Sequence, residues 1–186
     1  MKNITIFGKG NMAKVIAERF EKAGNTVELF GSKDTVGTLG DIVVLAIPYG
    51  AVASVLEAHK AELAGKIIVD ITNPVDFATM DGLAVPADSS AAEVIAKAVP
   101  TAAVVKGFNT NFAYTLAGDA ATTVLLASND SDAKSTLTSA LNGSGLNVVD
   151  AGSLKRAREL EALGFLQITL AIRELIGWTG GFSLSK

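Results

Sequence analysis

No cysteine occurs among the 186 residues, so disulfides, thiol nucleophiles and Cys-based zinc or iron–sulfur sites are excluded. A single histidine, His59, cannot assemble a metal site by itself. Within AVASVLEAHKAEL it is expected on an exposed helix face beside Lys60 and Glu62. An excess of charge is missing too: 16 Lys and Arg against 19 Asp and Glu leave a formal charge of −3. That balance provides no basic field for nucleic acid or an anionic membrane, and the short Lys155-Arg156-Ala157-Arg158 cluster reads as a solvated helix face. Long apolar runs are also lacking. Leu160 to Ile176 is interrupted by Glu161, Gln167, Thr169, Arg173 and Glu174, which suits a buried helix rather than a membrane span. Met1-Lys2-Asn3 runs directly into a strand without a secretory signal. A soluble cytoplasmic protein is expected, with neither nucleic acid nor membrane as partner.

What is present is a regular alternation. Short apolar runs at 3–8, 26–31, 41–47, 66–71, 102–108, 122–128 and 146–151 read as strands. Most lack strict alternation of apolar and polar residues, as parallel strands buried on both faces do. Helical patterns fill 11–23, 49–63, 89–98, 131–142 and 153–176. In the first of these, Met12, Val15, Ile16 and Phe20 recur at helical spacing while Lys14, Glu18, Arg19 and Lys22 stay polar, and Gly24 supplies a stop. The expected fold class is α/β, a doubly wound and mostly parallel Rossmann-like sheet.

One connection is too short for the usual pattern. Between Gly31 and Asp41 there is no room for a crossover helix and another edge strand, which together take about 25 residues or more. About ten residues at ~3.3 Å each can just cross a neighbouring strand. One helix-strand unit is therefore expected to be missing at that sheet edge, leaving a more open adenosine pocket. The irregular stretch from Pro74 to Pro86 follows a strand's carboxyl end, where ligands bind in such sheets.

Gly8-Lys9-Gly10-Asn11-Met12-Ala13 matches G-x-G-x-x-A between the first strand and the first helix. Gly8 permits the tight turn, Gly10 lets a pyrophosphate approach the backbone, and Ala13 keeps the helix close to the sheet. The N–H groups opening the helix, at Asn11 and Met12, then face phosphate. NAD-preferring folds carry Asp or Glu at the end of the second strand to hold the ribose hydroxyls. Here that position is Phe30 or Gly31, followed by Ser32 and Lys33, a hydroxyl and an ammonium that suit a 2′-phosphate. Lys9 can reach the same phosphate from the glycine turn, while Asp34 is a carboxylate that argues the other way, although one step further on it can point to solvent. NADP(H) is the expected cofactor.

Ile47-Pro48-Tyr49 ends a buried strand and reads as an apolar wall for the nicotinamide half, although Pro at an early helix position is also structurally ordinary. Thr72-Asn73-Pro74 can hydrogen-bond the carboxamide or ribose, or be a turn with a capping Asn. Asn109-Thr110, after another strand, is either a helix cap or part of an acceptor pocket. Gly180, Gly181 and Phe182 can fold back over the same edge or form a frayed tail. No Lys, His, Tyr or carboxylate stands out as a general acid or base, and no metal site is expected. Hydride transfer between two redox rings needs positioning and exclusion of water rather than a protein acid.

Together GKGNMA, the GSK turn, DIVVLAIP, DITNP, SSAAEVIAKAVPTAAVVKGFNT and DAGSLKRARELEALGF resemble the NADPH-dependent oxidoreductases of the deazaflavin coenzyme F420 family. The same fold class includes reductase domains of certain eukaryotic metalloreductases. The resemblance implies an NADP-binding Rossmann-like domain over 1–151 and a C-terminal helix and tail over 152–186. In that family a Ser-Arg or similar pair holds the 2′-phosphate. Ser32 and Lys33 match it, with Lys replacing a bidentate fork by a point charge. Thr72 to Pro74, Asn109-Thr110 and the terminal glycines fall where the family builds its nicotinamide and acceptor pocket. The function implied is hydride transfer between NADPH and a flat, small-molecule acceptor of deazaflavin, flavin or quinone type. A non-catalytic NADP(H) sensor and a small-carbonyl or imine reductase are the alternatives. β-Hydroxyacid dehydrogenases and pyrroline-carboxylate reductases share the nucleotide motifs but add large helical domains. This chain has only one long helix after Ala151, apolar nearly all round, and such a helix needs burial on both sides. A homodimer through it is expected.

Overall fold

Along the strands, alternate residues enter opposite cores, as the twofold period of extended backbone requires. Ile42 and Val44 pack with Ile6, Ile16, Phe20 and Leu137 on one face. Val43 and Leu45 pack with Val52, Leu56, Ile68 and Ile95 on the other. The computed structural model describes residues 1–118, 122–182 and 184, so Ser183, Ser185 and Lys186 of the expected C-terminal tail lie outside the described residues.

Among the described residues seven strands form one sheet: β1 (Asn3–Phe7), β2 (Thr26–Phe30), β3 (Ile42–Leu45), β4 (Ile67–Asp70), β5 (Ala103–Lys106), β6 (Thr123–Ala127) and β7 (Asn147–Gly152). Their order is β2-β1-β3-β4-β5-β6-β7. Helices α1 (Asn11–Lys22), α2 (Tyr49–Ala58), α3 (Ala91–Ala98), α4 (Ala113–Ala117), α5 (Ser131–Ala140) and α6 (Ala157–Ile172) connect or flank them. This is the α/β, Rossmann-like architecture expected.

The missing edge unit is confirmed: β2 is the outermost strand and pairs only with β1. The connection to β3 contains no helix or strand and passes over the start of β1 at Gly40. A Cβ there would lie 2.3 Å from the Asn3 carbonyl oxygen, so the close crossing requires glycine. The Gly40 N–H donates to Thr5 Oγ1 at 2.9 Å, and Leu39 is buried beside it.

Several features differ from expectation: α2 ends at Ala58, not 63, and α4 lies where no helix was expected. Strand β6 runs antiparallel to β5, because α4 is only five residues long and cannot carry the chain back across the sheet for a parallel return. Helix α6 stops at Ile172, not 176. Glu174 takes a left-handed φ of 58°, and its N–H donates to the Ala171 carbonyl while the Leu175 N–H donates to Leu170, a Schellman closure without glycine. The expected start at 153 is a short 3-10 turn, Leu154–Arg156. Arg19 leaves the polar face of α1 and is buried. Its guanidinium donates to the carbonyls of Leu116, Gly118 and Ser144, so the aliphatic stem passes through apolar packing to reach them.

Candidate functional site

The glycine turn after β1 is built as the motif implies. Gly8 has φ of 127°, and a Cβ on it would sit 2.1 Å from the Ala46 carbonyl oxygen. Its N–H donates to Phe30 at 2.7 Å, which ties the ends of β1, β2 and β3 together. Gly10 opens α1 with extended backbone, and a Cβ there would meet nothing within 4 Å. The helix has no side-chain cap and no acidic residue in its first turn. Its first N–H groups, at Asn11, Met12 and Ala13, have no carbonyl acceptor within the helix. Open space in front of Gly10 and an uncapped positive helix end suit a pyrophosphate.

Beside this turn lies a cleft of about 500 Å³. Phe7, Gly8 and Lys9 line one side, Phe30, Gly31, Ser32 and Asp34 another, and Ile47, Pro48 and the inner stripe of α2 the third. Lys33 follows Ser32 in the turn, is exposed, and enters no ion pair among the described residues. Asp34 is exposed, yet its carboxylate lies paired on the rim of the cleft rather than standing free in solvent. Its Oδ2 accepts from the Gly31 N–H at 2.7 Å and from Lys9 Nζ at 2.6 Å. The Lys9 ammonium, with the Gly31 N–H, holds the Asp34 carboxyl below the ordinary carboxylate range. His59 is also displaced from expectation. It lines the cleft, stacks at 5.1 Å on Phe7, and meets Glu62 at 2.6 Å. A signal for it was available: Pro48, Ala51, Val55 and His59 recur at helical spacing along one face of α2.

At the carboxyl ends of β4 and β5, Thr72, Asn73 and Pro74 face Asn109. Asn73 Nδ2 donates to the Asn109 carbonyl at 2.8 Å, and Asn109 Nδ2 returns to Asn73 Oδ1 at 2.9 Å and to the Leu160 carbonyl at 2.7 Å. Gly164 of α6 makes this possible, because a Cβ there would lie 2.3 Å from Asn73 Oδ1. Thr72 Oγ1 and Asn109 Oδ1 are buried without a hydrogen-bond partner, which is uncommon for interior polar atoms.

The structure brings Thr110 and Phe182 together around a small cavity of about 40 Å³, with Leu163 and Leu184. The C-terminal segment folds back over this edge. Thr115 Oγ1 donates to the Gly180 carbonyl at 2.9 Å, the Phe182 N–H donates to Gln167 Oε1 at 3.2 Å, and Trp178 packs on Phe112 at 4.9 Å. Gly181, with φ of 132°, is part of the bend, where a Cβ would press on Gln167.

Beneath the Thr72 to Asn109 region sits a buried ionic cluster. Lys106 Nζ lies 2.9 Å from Asp70 Oδ2 and 2.8 Å from Glu161 Oε1, all three side chains fully buried. It also donates to the Thr72 carbonyl. Glu161 further accepts from the N–H groups of Ala91 and Ala92 at the start of α3. Burial pushes the Glu161 carboxyl up, against the opposing pull of Lys106. The Tyr49 hydroxyl is likewise raised, first by burial and then by the charges of Glu161 and Asp70. Two of the three residues were detectable in sequence: the apolar runs IIVD and AVVK end on opposite charges that become register partners. Glu161 carried no comparable signal. Among the described residues no group of His, Asp and Glu is placed to hold a metal ion, and no helix is long and apolar enough to cross a membrane.

Comparison with known proteins gives concordant results. A family model described as NADP oxidoreductase, coenzyme F420-dependent, matches residues 26–74, from β2 to Pro74. The F420-dependent NADP reductase of Methanocaldococcus jannaschii is 32% identical over 178 residues, covering 90% of this chain and 79% of that protein. Metalloreductase STEAP3 of Rattus norvegicus is 31% identical over an alignment of 180 residues that covers 86% of this chain and 36% of that longer protein. Among solved structures, a candidate F420-dependent NADP-reductase from Arthrobacter sp. FB24 superimposes with a TM-score of 0.83 at 26% identity, each chain covered completely (100%).

Proposed function

The chain belongs to the coenzyme F420-dependent NADP oxidoreductase family, and from that premise we propose that it transfers hydride between NADP(H) and a flat redox ring of deazaflavin, flavin or quinone type. NADP(H), when bound, supplies or receives the hydride. The observation that carries the reading is the cleft that gathers Gly8, Lys9, Gly31, Ser32 and Pro48 around one space.

The residues divide the work by chemistry. The glycine turn and the first N–H groups of α1 hold the pyrophosphate. Ser32, Lys33 and Lys9 bind the 2′-phosphate, the hydroxyl as donor and the ammonium groups as point charges. Ile47 and Pro48 give the nicotinamide half an apolar wall, and Tyr49 borders it over the Glu161 and Asp70 charges. Thr72, Asn73 and Pro74 orient the nicotinamide, and Asn109 fixes Asn73 in place. Thr110 and the folded-back segment at Gly180, Gly181 and Phe182 border the acceptor and exclude water from the reacting edge. Positioning of this kind supplies catalysis without a protein acid or base at the hydride.

Tyr114, Leu166, Ile172, Leu175 and Trp178 are exposed on α4, α6 and the segment after it. A homodimer covers them in our reading. Light scattering at micromolar concentration tests it, a dimer mass supporting the pairing and a monomer mass contradicting it.

The direct test of function is stopped-flow mixing of NADPH-loaded protein with deazaflavin, flavin or quinone. Loss of reduced nicotinamide absorbance with at least one acceptor supports the oxidoreductase. Tight NADPH binding without turnover for any acceptor supports a non-catalytic sensor instead.

A further inference from the structure

The Lys9–Asp34 pair crosses the mouth of the nucleotide cleft, and its chemistry is out of place for a site that binds phosphate. Asp34 Oδ2 takes both the Lys9 ammonium, at 2.6 Å, and the Gly31 N–H, at 2.7 Å. The Lys9 stem lies along Gly31, with Cδ 3.5 Å from where a Cβ would stand. One carboxylate oxygen thus bridges the glycine turn after β1 and the turn after β2, and it engages two donors on the rim of a cleft of about 500 Å³. We propose that Asp34 is an internal mimic of the 2′-phosphate, a latch that occupies Lys9 and Gly31 in the free protein and is displaced when NADP(H) binds. The inference rests on the NADP(H) reading above and assigns to that site a residue that sets its selectivity.

Three physical points support displacement rather than co-binding. A phosphate monoester carries about −1.5 to −2 charges at neutral pH, so a carboxylate held on the same ammonium repels it. Lys9 and Asp34 are 54% and 37% exposed, so the Asp34 side chain can leave without breaking core packing. The turn itself survives the exchange, since the Asp34 N–H donates to the Gly31 carbonyl at 3.2 Å independently of the side chain. An exposed ion pair contributes little net stability, so the latch discriminates by modest factors and not absolutely. NADH, which has no group to replace the carboxylate, binds with the latch closed. Asp34 accordingly lowers NADPH affinity in exchange for a preformed pocket in which Lys9 and the Gly31 N–H are already paired.

The test is calorimetric titration of NADPH and NADH into the wild type, Asp34→Asn, Lys9→Met and the double variant. Asparagine keeps an acceptor for the Gly31 N–H and removes the charge. Asp34→Asn is expected to tighten NADPH about three- to tenfold and to change NADH less than twofold. In the Lys9→Met background the same change is expected to have a smaller effect, since the latch has lost its cation. A wild type that binds NADPH, with Asp34→Asn unchanged or weaker for it, overturns the latch alone. Weaker NADH binding by Asp34→Asn also overturns it, because Asp34 would then be a ribose ligand. A wild type that binds no NADPH overturns the nucleotide assignment and the latch with it.

Discussion

Asn73 and Asn109 hold each other at the carboxyl edge of the sheet, each amide donating to the other residue, at 2.8 and 2.9 Å. The pair spans two neighbouring strands and is anchored to α6 through the Leu160 carbonyl. It converts a loop after β4 into a fixed platform on which the nicotinamide is proposed to lie.

Asn109→Ala takes the Asn109 Nδ2 donor from Asn73 Oδ1 and from the Leu160 carbonyl, while Asn73 Nδ2 keeps the backbone carbonyl at position 109. The expected cost is about 1–3 kcal/mol of stability, read as a lower urea midpoint. NADPH affinity should change less than the single-turnover hydride rate, because Asn109 acts through Asn73. Equal losses in both would mean that Asn109 contacts the cofactor itself.

The two glycines of the motif should respond differently. Gly8→Ala meets the Ala46 carbonyl at 2.1 Å on a backbone with φ of 127°, so it should lower stability by about 3 kcal/mol or more. Gly10→Ala meets nothing in the free protein and should leave the unfolding midpoint nearly unchanged while weakening NADPH binding tenfold or more. Thermal unfolding alongside fluorescence titration separates the two effects. An unstable Gly10→Ala would show that the position serves the fold and not the ligand.

Glu161→Gln isolates the buried cluster. Burial raises the Glu161 carboxyl above its ordinary value of 4.5. From that pH upward the folded protein keeps a proton that the unfolded chain has lost, so this contribution is full below 4.5 and is lost as pH rises through the elevated folded value. Asp34, Asp76 and Asp150 are shifted downward and work in the opposite sense, losing their contribution as pH falls below their ordinary 3.8. Subtracting the variant's stability from that of the wild type cancels the three aspartates. The difference should move against the wild type as pH rises above 4.5. A flat difference in urea unfolding would show that Glu161 is not held protonated above its ordinary range.

Much of this was readable in the sequence because it is local. The strand runs, the G-x-G-x-x-A turn and the short connection after Gly31 are each defined by adjacent residues, and Gly40 marks where that connection crosses β1. The rest depends on long-range reach. Arg19 sits on a helix face that periodicity marks as polar, yet its guanidinium finds carbonyls from Leu116 to Ser144. Lys106, Asp70 and Glu161 form one cluster only once β4, β5 and α6 are assembled. The end of α6 was hidden because Glu174, not glycine, adopts the left-handed turn. The direction of β6 was hidden because α4, the short helix that fixes it, lacks enough turns to show a period.

Ser32→Ala with Lys33→Asp should remove the NADPH preference, lowering NADPH affinity by about 10- to 100-fold as charge-assisted contacts are lost. NADH binding should change little. Equal NADH and NADPH affinities in the unaltered protein would refute the 2′-phosphate assignment before any variant is made.

The most direct measurement is single-turnover stopped flow of the NADPH complex against a deazaflavin. Loss of reduced nicotinamide absorbance, matched in time and amount by reduction of the deazaflavin, is the result expected of a hydride transferase that works by positioning. Tight NADPH binding with no such loss, for the deazaflavin and equally for flavin and quinone, would contradict it.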